Sequence, residues 1–155
     1  MQTSAAGSRK PAAGFTLLEL LVVVAIVAMA SAGVSFSMRD ASQVQLIREA
    51  DRLAALLESA RARSQVMGVA VRWRDTTGGF QFEGLAAQSL PEQWLNEDTY
   101  VVKSTSGEKI TPYLQLGPEP VIEPQELILA SRTQPGKMVA LATDGVRPFN
   151  VKTAP

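Results

Sequence analysis

The chain has 155 residues, with 15 lysines and arginines against 15 aspartates and glutamates, and it contains no cysteine and no histidine. The absence of these two residue types excludes a disulfide framework, a thiolate metal site and a Ser-His-Asp triad. The length allows one folded domain beside an anchoring helix, and the balanced charge shows no basic patch of the kind that binds nucleic acid.

The chain begins with a polar segment, residues 1–14, which precedes an apolar run at residues 15–38. As a helix, these 24 residues would be about 36 Å long, which is enough to cross a hydrocarbon core of about 30 Å. Arg9 and Lys10 lie before the run. The positive-inside bias therefore places the N-terminus in the cytoplasm and the residues after the run outside it.

The apolar run contains one carboxylate, Glu19. A carboxylate at mid-bilayer costs roughly 2.5–3.5 kcal/mol, so Glu19 requires a partner or a function. One interpretation is a signal anchor whose Glu19 lies near the headgroups. Another is a secretory signal cut at the small residues Ala28-Met29-Ala30 or Ala30-Ser31-Ala32. The second is disfavoured, because the apolar core would then be long and would carry Glu19.

The segment Gly14-Phe15-Thr16-Leu17-Leu18-Glu19 follows the polar, basic leader and resembles the processing site of the type IV pilin and pseudopilin family. The resemblance implies that a prepilin peptidase cuts after Gly14 and methylates the new N-terminal residue, Phe15. It also implies that Glu19 meets the amine of a neighbouring subunit during assembly, since a buried carboxylate is tolerated beside a cation. The implied segments are a leader peptide (1–14), a transmembrane and assembly helix (15–38) and a periplasmic domain (39–155).

Helical spacing continues beyond the apolar run and predicts one helix from about Phe15 to Met67, ended by Gly68 as a C-cap. The recurring apolar positions are Leu46, Ile47, Ala50, Leu53, Ala54, Leu57 and Ala60. This stripe predicts an amphipathic second half that packs on a domain. The charged residues off the stripe are interpreted as a solvated face, and they are Arg48, Asp51, Arg52, Glu58 and Arg61.

After Gly68 the apolar pattern has a period of two and predicts a hairpin with one apolar face, followed by a loop at 84–99. Further strands are predicted at Tyr100–Ser104, Tyr113–Leu116, Glu126–Ala130 and Met138–Ala142, with a turn at Gln134-Pro135-Gly136 between the last two. No second long helix is indicated. The predicted fold class is therefore α+β, with a long N-terminal helix (transmembrane first half, amphipathic second half) packed on an antiparallel β-sheet.

Two C-terminal segments, Leu116–Ile122 and Leu141–Phe149, look like the tail of the H-type minor pseudopilins of type II secretion, a group that also contains FimT-like minor pilins. The helix at 52–61, followed by a valine-rich hairpin, is similar to that group as well. The resemblance implies a subunit of the periplasmic pseudopilus that drives export of folded proteins across the outer membrane. A FimT-like minor pilin, acting in pilus assembly or DNA uptake, is the alternative.

The same resemblance implies the location and the partners of the protein. It places the chain in the inner membrane as a single-pass protein with a cytoplasmic N-terminus and a periplasmic C-terminal domain. The implied partners are other minor and major pseudopilins, the prepilin peptidase, the inner-membrane secretion platform and membrane lipid. No cofactor is expected. No nucleic acid is expected either, because Arg72 and Arg74 are too few for a DNA-binding stripe.

No constellation of catalytic groups is apparent, so the chain is not expected to be an enzyme. Four acidic residues are candidates for a calcium site, and they are Asp75, Glu83, Asp98 and Asp144. Their spacing matches no metal-binding loop, and turn acids on a solvated face are favoured. Trp73 and Trp94 are expected in the core or at its rim rather than stacked on a ligand.

Overall fold

The computed structural model describes residues 15–153, apart from the side chains of residues 32–42, 135 and 153. Residues 1–14, the expected leader peptide with Gly14, lie outside the described residues. The chain divides into two compact units, residues 1–38 and residues 39–155. Within the described residues one helix, α1 (Leu17–Met67), is followed by eight strands.

The eight strands form two antiparallel sheets, with the orders β2-β1-β5 and β4-β3-β6-β7-β8. Their bounds are β1 (Arg72–Thr76), β2 (Gly79–Glu83), β3 (Thr99–Ser106), β4 (Lys109–Ile110), β5 (Tyr113–Gln115), β6 (Gln125–Ser131), β7 (Gln134–Thr143) and β8 (Asn150–Thr153). The predicted α+β class is confirmed. The sequence pattern did not indicate that the strands divide into a three-stranded and a five-stranded sheet.

The second half of α1 buries the apolar stripe that the sequence predicts. Ala50, Leu53, Leu57 and Ala60 are completely buried. They join one cluster with residues from both sheets, including Trp73, Phe80, Leu114, Leu127, Leu129, Val139 and Leu141. Burying one leucine side chain contributes about 1.5–3 kcal/mol, so this stripe is a main source of stability for the second unit.

The C-terminal end of α1 is closed by Gly68, as predicted. Gly68 has a φ of 65°, which places it in the left-handed region that glycine adopts without a Cβ penalty. The backbone N–H of Val69 donates to the carbonyl oxygen of Ser64 at 3.2 Å. This bond is the 6→1 bond of a Schellman motif, and it satisfies a carbonyl of the last helical turn.

The predicted hairpin forms from β1 and β2, with Trp73 opposite Phe82. Three aromatic rings pack around Phe80, whose ring centroid lies 4.7 Å from that of Trp94, 5.9 Å from that of Phe82 and 6.0 Å from that of Trp73. Both tryptophans are buried. Their predicted place in the core is confirmed.

The predicted turn at Gln134-Pro135-Gly136 is wrong. Strand β7 already begins at Gln134, and the reversal between β6 and β7 occurs at Arg132 and Thr133. The register shifts after Ala130, and Ser131 pairs with Gln134. The extra residues before Met138 form a bulge, which is where a strand accommodates proline and a glycine of positive φ.

The buried side chain of Gln125, the first residue of β6, joins the two sheets. Its Oε1 accepts the backbone N–H of Gln115 at 2.9 Å, and its Nε2 donates to the carbonyl oxygen of Gln115 at 2.7 Å. Gln115 is the last residue of β5. The side-chain amide therefore takes the place of a backbone partner for β5.

The interpretation of the charged residues of α1 as a solvated face holds for Arg48 and Asp51, which are exposed, and is wrong for Arg61. Arg61 is only 5% exposed. Its Nη2 donates to the carbonyl oxygens of Pro120 at 2.9 Å and Gly145 at 2.8 Å. The buried guanidinium is tolerated there because it donates to these two carbonyls and lies 3.9 Å from the carboxylate of Glu58.

Glu49 is a second buried charge of α1, and the sequence pattern did not single it out. Only 1% of it is exposed. Its Oε2 accepts the backbone N–H groups of Leu95 at 2.6 Å and Asn96 at 3.3 Å, and its Oε1 accepts Nη1 of Arg52 at 3.0 Å. The carboxylate thus holds the loop between β2 and β3 against the helix.

Replacing Glu49 with leucine is expected to lower the free energy of unfolding by about 2–4 kcal/mol, because it leaves two backbone donors and one arginine without their acceptor. Urea unfolding of the full chain, followed by tryptophan fluorescence, measures the change. Asp51→Leu is the control, since it removes an exposed carboxylate from the same helix and is expected to change the value by less than about 0.5 kcal/mol. Equal effects of the two substitutions would contradict the role of Glu49.

Candidate processing and assembly site

Thr16 sets the N-terminal end of α1. The backbone N–H of Glu19 donates to Oγ1 of Thr16 at 3.2 Å and to its carbonyl oxygen at 3.1 Å. Thr16 is therefore the N-cap, and the side-chain bond is one half of a capping box. Phe15 precedes the helix and is 75% exposed. Thr-x-x-Glu before an apolar run is a recognisable signal for the start of a helix, so this cap could have been predicted from the sequence.

Glu19 lies in the first turn of α1 and is exposed. Within the described residues its carboxylate has no ion-pair partner. The position itself is favourable for a negative charge, because the first turn carries the positive end of the helix dipole. This interaction is worth less than about 1 kcal/mol at an exposed site and leaves the carboxylate open to a cation.

The start of α1 exposes apolar side chains on all sides. Eleven large hydrophobic residues between Phe15 and Met29 are 46–81% exposed, and they are Phe15, Leu17, Leu18, Leu20, Leu21, Val22, Val23, Val24, Ile26, Val27 and Met29. A helix that is apolar all round is typical of a membrane or of the core of a helical assembly. Transferring eleven such side chains from water would contribute on the order of 15–30 kcal/mol, which exceeds the cost of one carboxylate.

Among the described residues, the structure contains no helix that is both long and apolar enough to cross a membrane. The expected span at 15–38 extends into residues 32–38, whose side chains lie outside the described part of the chain.

The four acidic residues considered for calcium lie apart. Asp75 and Glu83 are at opposite ends of the hairpin, and Glu83 pairs with Arg74 at 3.2 Å. Burial raises the pKa of Asp75. The backbone N–H groups of Arg147 and Val146 lower the pKa of Asp144, which forms a turn with them. Within the described residues, no group of three or more acidic side chains is placed to hold a metal ion.

The two arginines of β1 already have partners on the surface of the three-stranded sheet. The guanidinium of Arg72 lies 4.9 Å above the ring of Tyr113, and its Nε donates to Gln115 at 3.1 Å. Arg74 is the arginine paired with Glu83. The described hairpin therefore offers little unpaired positive charge.

The fold and the N-terminal site together define a protein with an exposed apolar helix start, preceded in sequence by a basic leader and followed by an α+β module. Residues 9–35 match the family model described as the prokaryotic N-terminal methylation motif. This match contains Gly14, Phe15 and Glu19 and supports a protein of the type IV pilin and pseudopilin type. No curated protein and no solved structure matches the chain.

Proposed function

We propose that the chain is a minor pseudopilin of the H type, a non-enzymatic subunit of the pseudopilus of a type II secretion system. In this proposal a prepilin peptidase cuts after Gly14 and methylates the amine of Phe15. The apolar helix then holds the subunit in the inner membrane, with the N-terminus cytoplasmic and the domain at 39–155 in the periplasm. Assembly transfers the subunit into a fibre of major and minor pseudopilins on the inner-membrane secretion platform.

The observation that carries the proposal is the start of α1. There the exposed carboxylate of Glu19, in the first turn, is surrounded by exposed apolar side chains. Leu17, Leu18 and Leu20 surround Glu19 in sequence and are 58–81% exposed. Lipid or neighbouring helices would cover these leucines, and a cation would have to accompany the carboxylate there. The methylated amine of a neighbouring subunit supplies such a cation, and the match to the methylation motif supports its formation.

The intact mass of the protein extracted from membranes tests the processing step. We expect a chain that starts at methylated Phe15, because the polar leader with Arg9 and Lys10 lies on the N-terminal side of the apolar residues. Gly14→Ala is expected to reduce cleavage in part, whereas a bulky residue such as Gly14→Leu is expected to block it. A chain that starts after Ala30 or Ala32 would instead indicate a secretory signal and would overturn the proposal.

The branch of the family is tested by co-purification of the full chain from a strain with type II secretion and from a strain with only type IV pili. We expect recovery of other minor pseudopilins from the first strain. Recovery of pilus components alone would assign the chain to the FimT-like branch. Retention on DNA at physiological salt would indicate a role in DNA uptake. Arg72 already contacts Tyr113 and Arg74 is paired with Glu83, so neither arginine is free to contact DNA. This supports the secretion branch over a role in DNA uptake.

A further inference from the structure

The outward face of the five-stranded sheet has an apolar centre. Cross-strand partners point to the same side of a sheet, and the register places Lys103, Ile128, Ala140 and Lys152 in one row across β3, β6, β7 and β8. The alternate positions, Leu127, Leu129, Val139 and Leu141, belong to the core on the other side. The row therefore faces away from the core.

The neighbouring row on this outward face is also apolar, since Tyr100, Ala130 and Met138 are paired across β3, β6 and β7. Tyr100 is 37% exposed and Met138 is 45% exposed. The water-facing side of an antiparallel sheet normally carries polar residues. Contiguous apolar residues at such a place mark an interaction surface. We name this surface, with both rows, the outer sheet face.

The two central strands of the outer sheet face, β6 and β7, carry both small and large side chains. Ala130, Ala140 and Ala142 alternate across the strands with Ile128 and Met138, and Glu126 lies beside Ala142 at one end. At one end, a cleft of about 400 Å³ opens above Ala142, and its walls include Thr105, Glu126, Asn150 and Lys152.

Two lysines flank the apolar rows of the outer sheet face. Lys103 and Lys152 are exposed, and neither has an ion-pair partner among the described residues. They lie three strands apart, which corresponds to about 14 Å. An α-helix with its side chains is about 10–12 Å wide, so a helix laid along the strands would fit between them. Acidic residues along both edges of that helix would reach the two lysines.

We propose that the outer sheet face binds an amphipathic helix of another protein subunit, with an apolar stripe against Ile128, Ala140 and Met138 and acidic residues on both flanks. A second copy of this chain is a poor occupant, because the apolar stripe in the second half of its α1 is already buried through Leu53 and Leu57. The exposed first part, residues 15–31, carries a single acidic residue, Glu19, and so lacks acidic residues on both flanks. The inference goes beyond the proposed function and does not depend on how the N-terminus is processed.

The test measures binding of two helical peptides to the full chain in mild detergent by fluorescence anisotropy. The peptides share one apolar stripe, and their flanking residues are glutamate in one and lysine in the other. We expect only the glutamate peptide to bind. Lys103→Glu combined with Lys152→Glu should weaken its binding about tenfold or more, since two ion pairs are replaced by repulsion. The same double variant should gain affinity for the lysine peptide.

The control is Arg48→Glu combined with Lys109→Glu, which changes the net charge equally. Arg48 is exposed on α1, and Lys109 alternates with Ile110 and points away from the outer sheet face. The control should leave binding of the glutamate peptide unchanged, and circular dichroism should show that both double variants are folded. The proposal is overturned if neither peptide binds, if both bind equally or if the two double variants act alike. Two further results would also overturn it. One is self-association of the native chain, measured by sedimentation, that is lost in the Lys103→Glu, Lys152→Glu variant. The other is binding of the native chain to phosphatidylglycerol vesicles that is lost in the same variant.

Discussion

Replacing Glu19 with leucine is expected to leave membrane insertion and cleavage intact and to reduce incorporation into the fibre by more than a hundredfold. The substitution makes the helix more apolar, so insertion does not suffer. In the proposed fibre, however, the amine of the neighbouring subunit would lose its counter-charge. Removing one partner of a buried ion pair costs about 3–5 kcal/mol, and each 1.4 kcal/mol corresponds to a factor of about ten.

The measurement is the fraction of the variant that co-purifies with sheared fibres, together with secretion by the cells. Asp51→Leu serves as the control, because it removes the same charge from an exposed position further along α1. The intact mass of the variant confirms that it is still processed. If Glu19→Leu co-assembles and supports secretion like the native protein, the pairing role of Glu19 is wrong.

Replacing Gly145 with alanine is expected to lower the free energy of unfolding by about 2–6 kcal/mol. Gly145 has a φ of +91°, and an added Cβ would lie 1.9 Å from the carbonyl oxygen of Ile122. The left-handed backbone costs about 1–3 kcal/mol for a residue other than glycine, and overpacking costs about another 1–3 kcal/mol. The substitution would also disturb the contacts of Gly145 with Arg61 and Ile122.

Gly136→Ala is the matched control for Gly145→Ala. Gly136 has a similar φ of +98°, but an added Cβ would meet nothing within 4 Å. The two variants share the backbone strain and the loss of unfolded-state entropy, so their difference in urea unfolding reports the steric contact alone. Equal losses of stability would show that the approach of Gly145 to Ile122 is not a tight contact.

Much of the fold follows from periodicity. Leu46, Leu53 and Leu57 recur at helical spacing, and all three are buried. An apolar stripe on one face of a helix in a small domain packs against the hydrophobic core. Periodicity does not report on single polar residues. Glu49 and Arg61 lie in the same helix as exposed charged residues. What distinguishes them is partners distant in sequence: the backbone N–H groups of Leu95 and Asn96 for Glu49, and the carbonyl oxygens of Pro120 and Gly145 for Arg61.

The candidate site is readable from sequence because it is linear. Gly14, Phe15 and Glu19 lie within six consecutive residues, so no long-range contact is needed to bring them together. The outer sheet face could not be read in this way. Lys103 is in β3 and Lys152 is in β8, so they are far apart in sequence. The strand register, through Ile128 and Ala140, places them in one row.

The amide of Gln125 has a consequence for how the molecule avoids aggregation. An open strand edge presents unpaired N–H and C=O groups to which another chain can add. At β5 those groups of Gln115 are occupied by Gln125, and within β2 the N–H of Phe80 donates to the carbonyl oxygen of Glu92 at 2.8 Å. The groups of Gln115 and Phe80 that these bonds occupy are thus not available to an added strand, which opposes amyloid-like, strand-to-strand growth at both edges of the three-stranded sheet.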